Sequence, residues 1–428
     1  MILHIFKMVW NRKGTNALIT LEILISFLVL FAVCALGAYH YDHYRQPLGY
    51  TWDQVWKVEI SFGEDDSLTL GALMRVFSMD DPEASEVLTV GEVFERMVTE
   101  VESFEQVEAA AGMSFAPYTR SSWRWGLDIN DRKIPIYMQN ASDSLLEVMD
   151  LDMTRGRWFE ETDRSHSLRT IVINERLARQ VFGREDPIGQ VIVDESDSGD
   201  IKMKVVGVIS DFRYHGELSP PIPLAFMRLP IAVAAEPGDE LVEHGRNQHD
   251  FLQALVIRVK PGTPVSFEEE IIKRLHAVAP EWSFKLQPLS MARDSYLRKR
   301  LAPLAIAALV AAFLMIMVAL GLLGVLWQNV TQRIRELGLR RAKGATAGHI
   351  RRQVLGELLI MSSLAMVIGV IVIVQLPLTG WVPPTSARVY MQALLLAAGL
   401  MSVLTVIAGL YPSFLATRVQ PAEALHYE

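Results

Sequence analysis

The sequence predicts an α-helical membrane protein with four transmembrane helices and a large mixed α/β extracytoplasmic domain inserted between helices 1 and 2. Three observations predict this fold class: four long apolar runs, the basic residues that flank them, and a charged stretch of 262 residues between the first two runs. About 20 apolar residues cross a bilayer as a helix, and a helix satisfies its own backbone hydrogen bonds in lipid.

The apolar runs give the positions of the transmembrane helices. The run at 301–327 has 27 residues and no charged side chain, which is not typical of a buried helix in a soluble protein. The first run is longer than the apolar region of a cleaved signal peptide, which has about 7–15 residues, so we expect it to remain as an anchor. We predict transmembrane helices at 17–38, 301–327, 354–376 and 391–411.

The basic residues give the orientation. Residues 328–353 contain seven Lys and Arg against one acid, and residues 1–16 contain three basic residues and no acid, whereas the loop 377–390 contains one basic residue. Short loops rich in Lys and Arg stay in the cytoplasm. We therefore expect both termini (1–16 and 412–428) and the loop 328–353 to be cytoplasmic, with 39–300 on the outer side.

The stretch 39–300 has the composition of a globular domain, formed as one large unit or as two smaller lobes. It contains 44 acidic and 29 basic residues, a net charge of −15. This acidic excess argues against nucleic acid or an anionic surface as a partner of the domain. The sole cysteine, Cys34, lies in the first apolar run, so the domain relies on its apolar core and not on disulfides.

Local patterns within this stretch predict helices and strands. The spacing of apolar residues predicts a helix at 89–110, and Asn174 is predicted to cap a helix at 175–182. A capping box formed by Ser266 and Glu269 predicts another helix that follows it. Alternating and β-branched runs predict strands at 134–138, 170–173, 202–209 and 254–259.

Residues 289–300 are predicted to be helical and to continue into the second transmembrane helix, because the only break signal is Pro303, and proline is tolerated in the first turn of a helix. Such a helix would move with both the domain and the membrane segment.

Motifs of catalysis are missing from the sequence. It contains no G-x-x-x-x-G-K-[ST] phosphate loop, no G-x-S-x-G elbow and no H-E-x-x-H zinc motif. We therefore assign no catalytic, cofactor-binding or metal-binding residue and expect a non-catalytic membrane subunit. A membrane-anchored enzyme is the alternative, and no nucleophile or acid/base constellation supports it.

The most informative segment is 331–353, which is basic and predicted to be largely helical. Its simplest interpretation is a positively charged anchor close to anionic lipid. An anchor requires charge alone, however, whereas this segment also carries small residues at Gly338, Gly344 and Ala345, which allow another surface to approach closely.

Three groups of residues resemble a known family. The sequence RELGLRRAKGAT at 335–346 and the C-terminal motifs YPS, ATR and QPAEAL within 411–425 resemble the cytoplasmic loop and the ending of MacB/FtsX-type ABC permeases. The motifs VINE, FG, PIG, VVGV and DF within 172–212 resemble the periplasmic core domain of MacB, and this match is poor over 40–130.

The resemblance implies the permease subunit of an ABC transporter in the inner membrane of a bacterial cell, with its large domain periplasmic. A separate ABC ATPase subunit would use ATP, this chain would bind no cofactor itself, and its spans would pass the motion of the ATPase to the periplasmic domain (mechanotransmission) for export or extraction of a substrate. Implied partners are that ATPase, a second permease chain in a homo- or heterodimer, membrane lipid, a periplasmic adaptor and an outer-membrane channel.

The resemblance also implies two sets of residues. The ATPase-coupling loop would comprise Arg335, Glu336, Gly338, Arg340, Arg341, Gly344 and Ala345. The structural motif of the core domain would comprise Asn174, Phe182, Gly189 and Gly207.

One alternative shares every motif: a signalling transmitter similar to FtsX, which would control a periplasmic hydrolase without transport. The protein that co-purifies with 39–300 would discriminate the two hypotheses. MacB carries its ATPase fused at the N-terminus, whereas this sequence begins close to the first apolar run, so we expect the ATPase on another polypeptide.

Overall fold

The computed structural model describes residues 13–61, 90–119, 122, 124–129, 132–165, 168–194, 201–228, 253–280, 282–332, 346–375 and 386–416. The chain divides into two compact units, which are described separately. The membrane unit consists of Met1–Asp42 and Lys299–Glu428, and the outer domain consists of His43–Arg298.

The described residues form eight α-helices and eleven strands. The helices are α1 Lys13–Tyr44, α2 Val90–Glu102, α3 Leu145–Met149, α4 Glu175–Phe182, α5 Glu268–Val278, α6 Leu289–Gln332, α7 Ala347–Gln375 and α8 Ala387–Ala416. The strands are β1 Val55–Ser61, β2 Val107–Met113, β3 Arg124–Ile129, β4 Arg132–Ala141, β5 Met153–Gly156, β6 Arg169–Asn174, β7 Val191–Asp194, β8 Ile201–Ile209, β9 Leu224–Arg228, β10 Ala254–Val259 and β11 Ser283–Pro288.

Four of the helices are long and apolar enough to cross a membrane, as the sequence predicts. The spans found by length and composition are Ile19–Tyr44, Leu289–Gln328, Gly348–Gln375 and Ala387–Leu410. Helix α6 runs without a break through Pro303 for 44 residues, so the predicted continuity of 289–300 with the second span is confirmed. Within the membrane unit, the buried hydroxyls of Ser362 and Thr405 lie 3.1 Å apart and link α7 to α8.

The strands of the outer domain form one mixed sheet with the order β11-β1-β10-β2-β4-β9-β6-β8-β5, to which β3 adds beside β4 and β7 beside β8. The pairs β4/β9 and β6/β8 are parallel, and the others are antiparallel. Two half-sheets meet between β2 and β4, where Met113 and Ala141 form the single ladder pair. Beside that pair, the Ser114 hydroxyl accepts from the backbone N–H of Asn140 at 2.8 Å.

The helices of the outer domain cover the two half-sheets with separate apolar cores. Helices α2 and α5 bury Met97 and Ile271 against β1, β2 and β10. Helix α4 buries Leu177 against β6 and β8. A third core takes side chains from both half-sheets and includes Phe212 and Phe226. This shared core joins the two halves beyond their short line of contact.

The structure corrects two local predictions. The helix predicted at 89–110 ends at Glu102, because Val107–Met113 forms a strand that pairs with β10. The capping box predicted at Ser266 and Glu269 is wrong: Ser266 lies in a 3₁₀ turn, and α5 begins after Phe267 with no side-chain cap. The strand predictions at 134–138, 170–173, 202–209 and 254–259 are confirmed with small changes of boundary.

Candidate functional site

The predicted ATPase-coupling loop lies outside the described residues. Helix α6 ends at Gln332 and α7 begins at Ala347. All seven assigned residues fall between them: Arg335, Glu336, Gly338, Arg340, Arg341, Gly344 and Ala345.

Asn174 is fully buried at the end of β6, and its side-chain amide uses both its acceptor and its donors. The Oδ1 atom accepts from the backbone N–H groups of Leu177 and Leu224, both at 3.0 Å. The Nδ2 group donates to the carbonyl oxygen of Ile222 at 2.7 Å and to the Asp211 carboxylate at 3.0 Å. The predicted N-cap of α4 is thus confirmed, and the same amide fixes the segment between β8 and β9.

The other three residues of the predicted structural motif lie around the same half-sheet. Phe182 packs partly buried against the core under α4. Gly189 has φ +79° and donates its N–H to the carbonyl oxygen of Val205 at 2.8 Å. Gly207 lies in β8 so close to the backbone of Arg157 that a Cβ atom would overlap its carbonyl oxygen. These contacts are those of packing and turn formation.

The segment after β8 also holds the end of α1, through Arg213. This guanidinium is only 2% exposed. Its Nη1 donates to the carbonyl oxygens of His43 at 2.9 Å and Gln46 at 3.0 Å, and its Nη2 donates to those of Glu217 at 2.5 Å and Ser219 at 2.6 Å. The last carbonyls of a helix lack intrahelical partners and favour a cation, which Arg213 supplies at the last turn of α1.

The same segment contacts the start of α6 through an ion pair. Arg293 donates from Nε to the Glu217 carboxylate, and the side chains are 17% and 5% exposed respectively. The guanidinium also lies 4.5 Å from the ring centre of Trp52. One turn further along α6, the Tyr296 hydroxyl lies 2.9 Å from that of Ser219.

Gly216 lets the segment approach two neighbouring tyrosine rings closely. Its φ is +87°, a conformation that favours glycine, and a Cβ atom would lie 2.7 Å from Tyr118 Cε1 and 2.8 Å from Tyr296 Cε1. Residues 211–219 form the helix clamp, because within the outer domain they contact both the end of α1 and, through Arg293 and Tyr296, the start of α6.

A second polar feature of the outer domain is the ion pair of Lys57 and Glu59 in β1. Lys57 Nζ is 2.6 Å from Glu59 Oε1, and the lysine side chain is buried. Burial lowers the pKa of Lys57. Burial acts to raise the pKa of Glu59. The hydrogen bond from Lys57 and the positive charge of Lys57 act in the opposite direction and outweigh burial, so the pKa of Glu59 is lowered. Glu59 lines a cleft of about 320 Å³ at the ends of β1, β2, β10 and β11.

Sequence reasoning missed the helix clamp. The only signal for Arg213 is a single charge between the apolar residues Phe212 and Tyr214, and this does not identify a partner. The acceptors from α1 lie about 170 residues away in sequence, and Arg293 lies 76 residues from Glu217. Within the described parts of the chain, no group of three or more His, Cys, Asp and Glu side chains could hold a metal ion.

The fold and the site define the class: a membrane protein whose four apolar helices carry one large outer domain between the first and the second. The model of the MacB-like periplasmic core domain matches residues 17–274, and the model of the FtsX-like permease C-terminal region matches residues 308–421. The chain therefore belongs to the MacB/FtsX-type family of ABC transporter permeases, and it is a membrane protein with a periplasmic core domain.

Curated relatives of the chain are named as ABC transporter permeases or as fused ATP-binding/permease proteins. The chain is 24% identical over 295 residues to the macrolide export ATP-binding/permease protein MacB 2 of Aeromonas hydrophila, covering 67% of this chain and 43% of that protein. It is 22% identical over 308 residues to the uncharacterized ABC transporter permease YknZ of Bacillus subtilis, covering 68% of this chain and 70% of that protein. The chain thus spans less than half the length of the MacB relatives that it matches.

Among solved structures, the periplasmic region of MacB from Actinobacillus actinomycetemcomitans matches with a TM-score of 0.36 and 11% identity, covering 57% of this chain and 92% of that one. The extracellular domain of the noncanonic ABC-type transporter YknZ from Gram-positive bacteria matches with a TM-score of 0.33 and 12% identity, covering 54% of this chain and 99% of that one.

Proposed function

We propose that this chain is the permease subunit of an ABC transporter that couples ATP hydrolysis by a separate ATPase subunit to motion of its periplasmic domain, for export or extraction of a substrate. The observation that supports this proposal best is helix α6, which is continuous from Leu289 to Gln332. Its first turns contact the helix clamp, and its last residues adjoin the basic segment 333–345. One helix therefore joins the two parts that coupling requires.

The family supports an ATPase partner. The MacB relatives are named ATP-binding/permease proteins, whereas the Bacillus subtilis relative is named a permease. The present sequence contains no phosphate-binding loop motif. We place the ATPase on a partner chain that docks on Arg335, Glu336, Gly338, Arg340, Arg341, Gly344 and Ala345, with no cofactor bound by this chain itself.

Membrane orientation and assembly complete the proposal. The excess of Lys and Arg in 1–16 and 328–353 supports cytoplasmic termini, with His43–Arg298 on the periplasmic side. A second permease chain would pair with the first, because an ABC ATPase works as a pair. The MacB relatives are named for macrolide export, and we extend only the direction of transport to this chain.

The test uses the full chain in lipid nanodiscs with its ATPase subunit. Replacing both Arg340 and Arg341 with Glu reverses charge on the proposed docking segment and should abolish co-purification of the ATPase and the ATP hydrolysis that depends on this chain. The control is Arg388→Glu, which changes an exposed cation in the first turn of α8, at the opposite end of the spans from the proposed docking segment in the predicted topology. Unchanged ATPase binding and hydrolysis in the double variant would refute the proposed docking.

A further inference from the structure

We propose that Glu217 and Arg293 are positioning residues: their ion pair passes movement of α6 to the segment 211–219, while Arg213 keeps that segment on the end of α1. This inference rests on the proposed function, in which α6 moves in response to ATP. The inference names the side chains that receive the movement of α6 inside the outer domain, and it assigns the end of α1 as the fixed point.

The contact face of α6 supports this division of roles. Leu289, Ala292, Arg293 and Tyr296 follow helical spacing and lie on one face of the helix. Leu289 and Ala292 are buried in the core shared by both half-sheets. Arg293 and Tyr296 continue the same face with polar contacts, to Glu217 and Ser219. Any rotation or axial shift of this part of α6 therefore displaces both contacts at once.

The two attachments of the segment differ in chemistry. Arg213 donates only to backbone carbonyl oxygens: His43 in the last turn of α1, Gln46 just beyond that helix, and two in its own segment. Those acceptors are present whatever side chains these residues carry, so this attachment depends on backbone geometry. The attachment to α6 instead requires particular side chains: the Glu217 carboxylate with the Arg293 guanidinium, and the Ser219 hydroxyl with that of Tyr296. The ion pair of Glu217 and Arg293 is largely desolvated. Removing either partner therefore leaves the other charge buried without compensation.

Trp52 helps to orient the Arg293 guanidinium. A planar guanidinium beside an aromatic ring is attracted to the ring face, and its Nε donor can at the same time meet a carboxylate. Arg293 makes both contacts. Its side chain is therefore fixed between Trp52 and Glu217, so the pair can transmit displacement of α6 and does not simply neutralise charge.

The experiment compares hydrogen–deuterium exchange of residues 289–298 and 211–219 in the full chain with its ATPase subunit in nanodiscs, with and without a non-hydrolysable ATP analogue. In the parent chain, nucleotide should change exchange in both segments. In Glu217→Gln, the response of 289–298 should persist while that of 211–219 is reduced, because only the contact of Tyr296 with Ser219 then remains. Arg293→Lys keeps the charge but not the planar group, so it should give a response between the two.

A matched control separates transmission from stability. Arg228 and Asp143 form another short ion pair of the outer domain, with the arginine 8% exposed and an N···O distance of 2.5 Å, between the end of β9 and the residues before α3. Asp143→Asn should lower thermal stability but keep the nucleotide response in both segments. The inference is overturned if Glu217→Gln retains the response of 211–219, or if Asp143→Asn loses it equally. If the parent chain shows no nucleotide response in either segment, the proposed function fails first.

Discussion

Replacement of Gly207 by Ala tests how closely β5 and β8 approach. A Cβ atom at this position would lie 2.8 Å from Met153 Cε, 3.1 Å from the carbonyl carbon of Arg157 and closer still to the carbonyl oxygen. The methionine can move, but the Arg157 backbone is fixed because its N–H donates to Val206 at 3.1 Å. Overpacking against backbone costs about 3 kcal/mol. For a domain of this size, that lowers the midpoint of thermal unfolding by about 6–12 °C.

Two other glycines calibrate the result. A Cβ atom on Gly189 would meet no atom within 4 Å, so Gly189→Ala should cost only the strain of its positive φ, about 1–2 kcal/mol. Gly126 is exposed in β3 with open space and no positive φ, so Gly126→Ala should be neutral or stabilise by about 0.5 kcal/mol. Thermal unfolding of the full chain, followed by tryptophan fluorescence, should rank the three variants in this order. A Gly207→Ala midpoint equal to that of Gly126→Ala would refute the reasoning.

Three further predictions concern polar side chains of the outer domain. Asn174→Asp places a carboxylate where the amide donates to Asp211 and a carbonyl, so it should lower the free energy of unfolding by about 2–3 kcal/mol at neutral pH, measured by thermal unfolding, and by less in acid. Lys57 holds the pKa of Glu59 below its ordinary 4.5, so the stability that this pair contributes is complete above pH 4.5 and is lost as the pH falls through the lowered pKa. Glu59→Gln should therefore remove this part of the acid dependence of the free energy of unfolding. Arg213→Lys cannot reproduce four hydrogen bonds, so it should increase hydrogen exchange at the end of α1 even though the charge is kept.

The features that the sequence predicts correctly are those that depend on residues close together in the sequence. The apolar runs identify the four spans, and Asn174 before an amphipathic helix identifies the cap of α4. Strand β11 could not be predicted in this way, because Ser283–Pro288 is short, ends in proline and gains its partner β1 from more than 200 residues earlier. The same limit applies at Val107–Met113, where pairing with β10 overrides a helical pattern.

The helix clamp was beyond prediction for a related reason. Glu217 and Arg293 are ordinary charged residues in sequence, and most such residues face solvent. Only the fold, which brings the segment after β8 beside the first turns of α6, makes them a buried pair. The coupling loop shows the reverse case: its residues are distinctive in sequence, and Arg335–Ala345 lies outside the described residues.

The line where β2 meets β4 has a mechanical consequence for the outer domain. A long ladder resists shear because many hydrogen bonds must break together. Here Met113 and Ala141 form one ladder pair, flanked by two backbone hydrogen bonds, from Ser114 N–H to the Asn140 carbonyl and from Ser142 N–H to the Gly112 carbonyl, and by the hydroxyls of the two serines. A load that reaches one half-sheet is therefore carried to the other mainly by side chains of the shared core. Because the ladder between β2 and β4 is far shorter than those within each half-sheet, we expect a shearing force to separate the two half-sheets before it separates the strands inside either one.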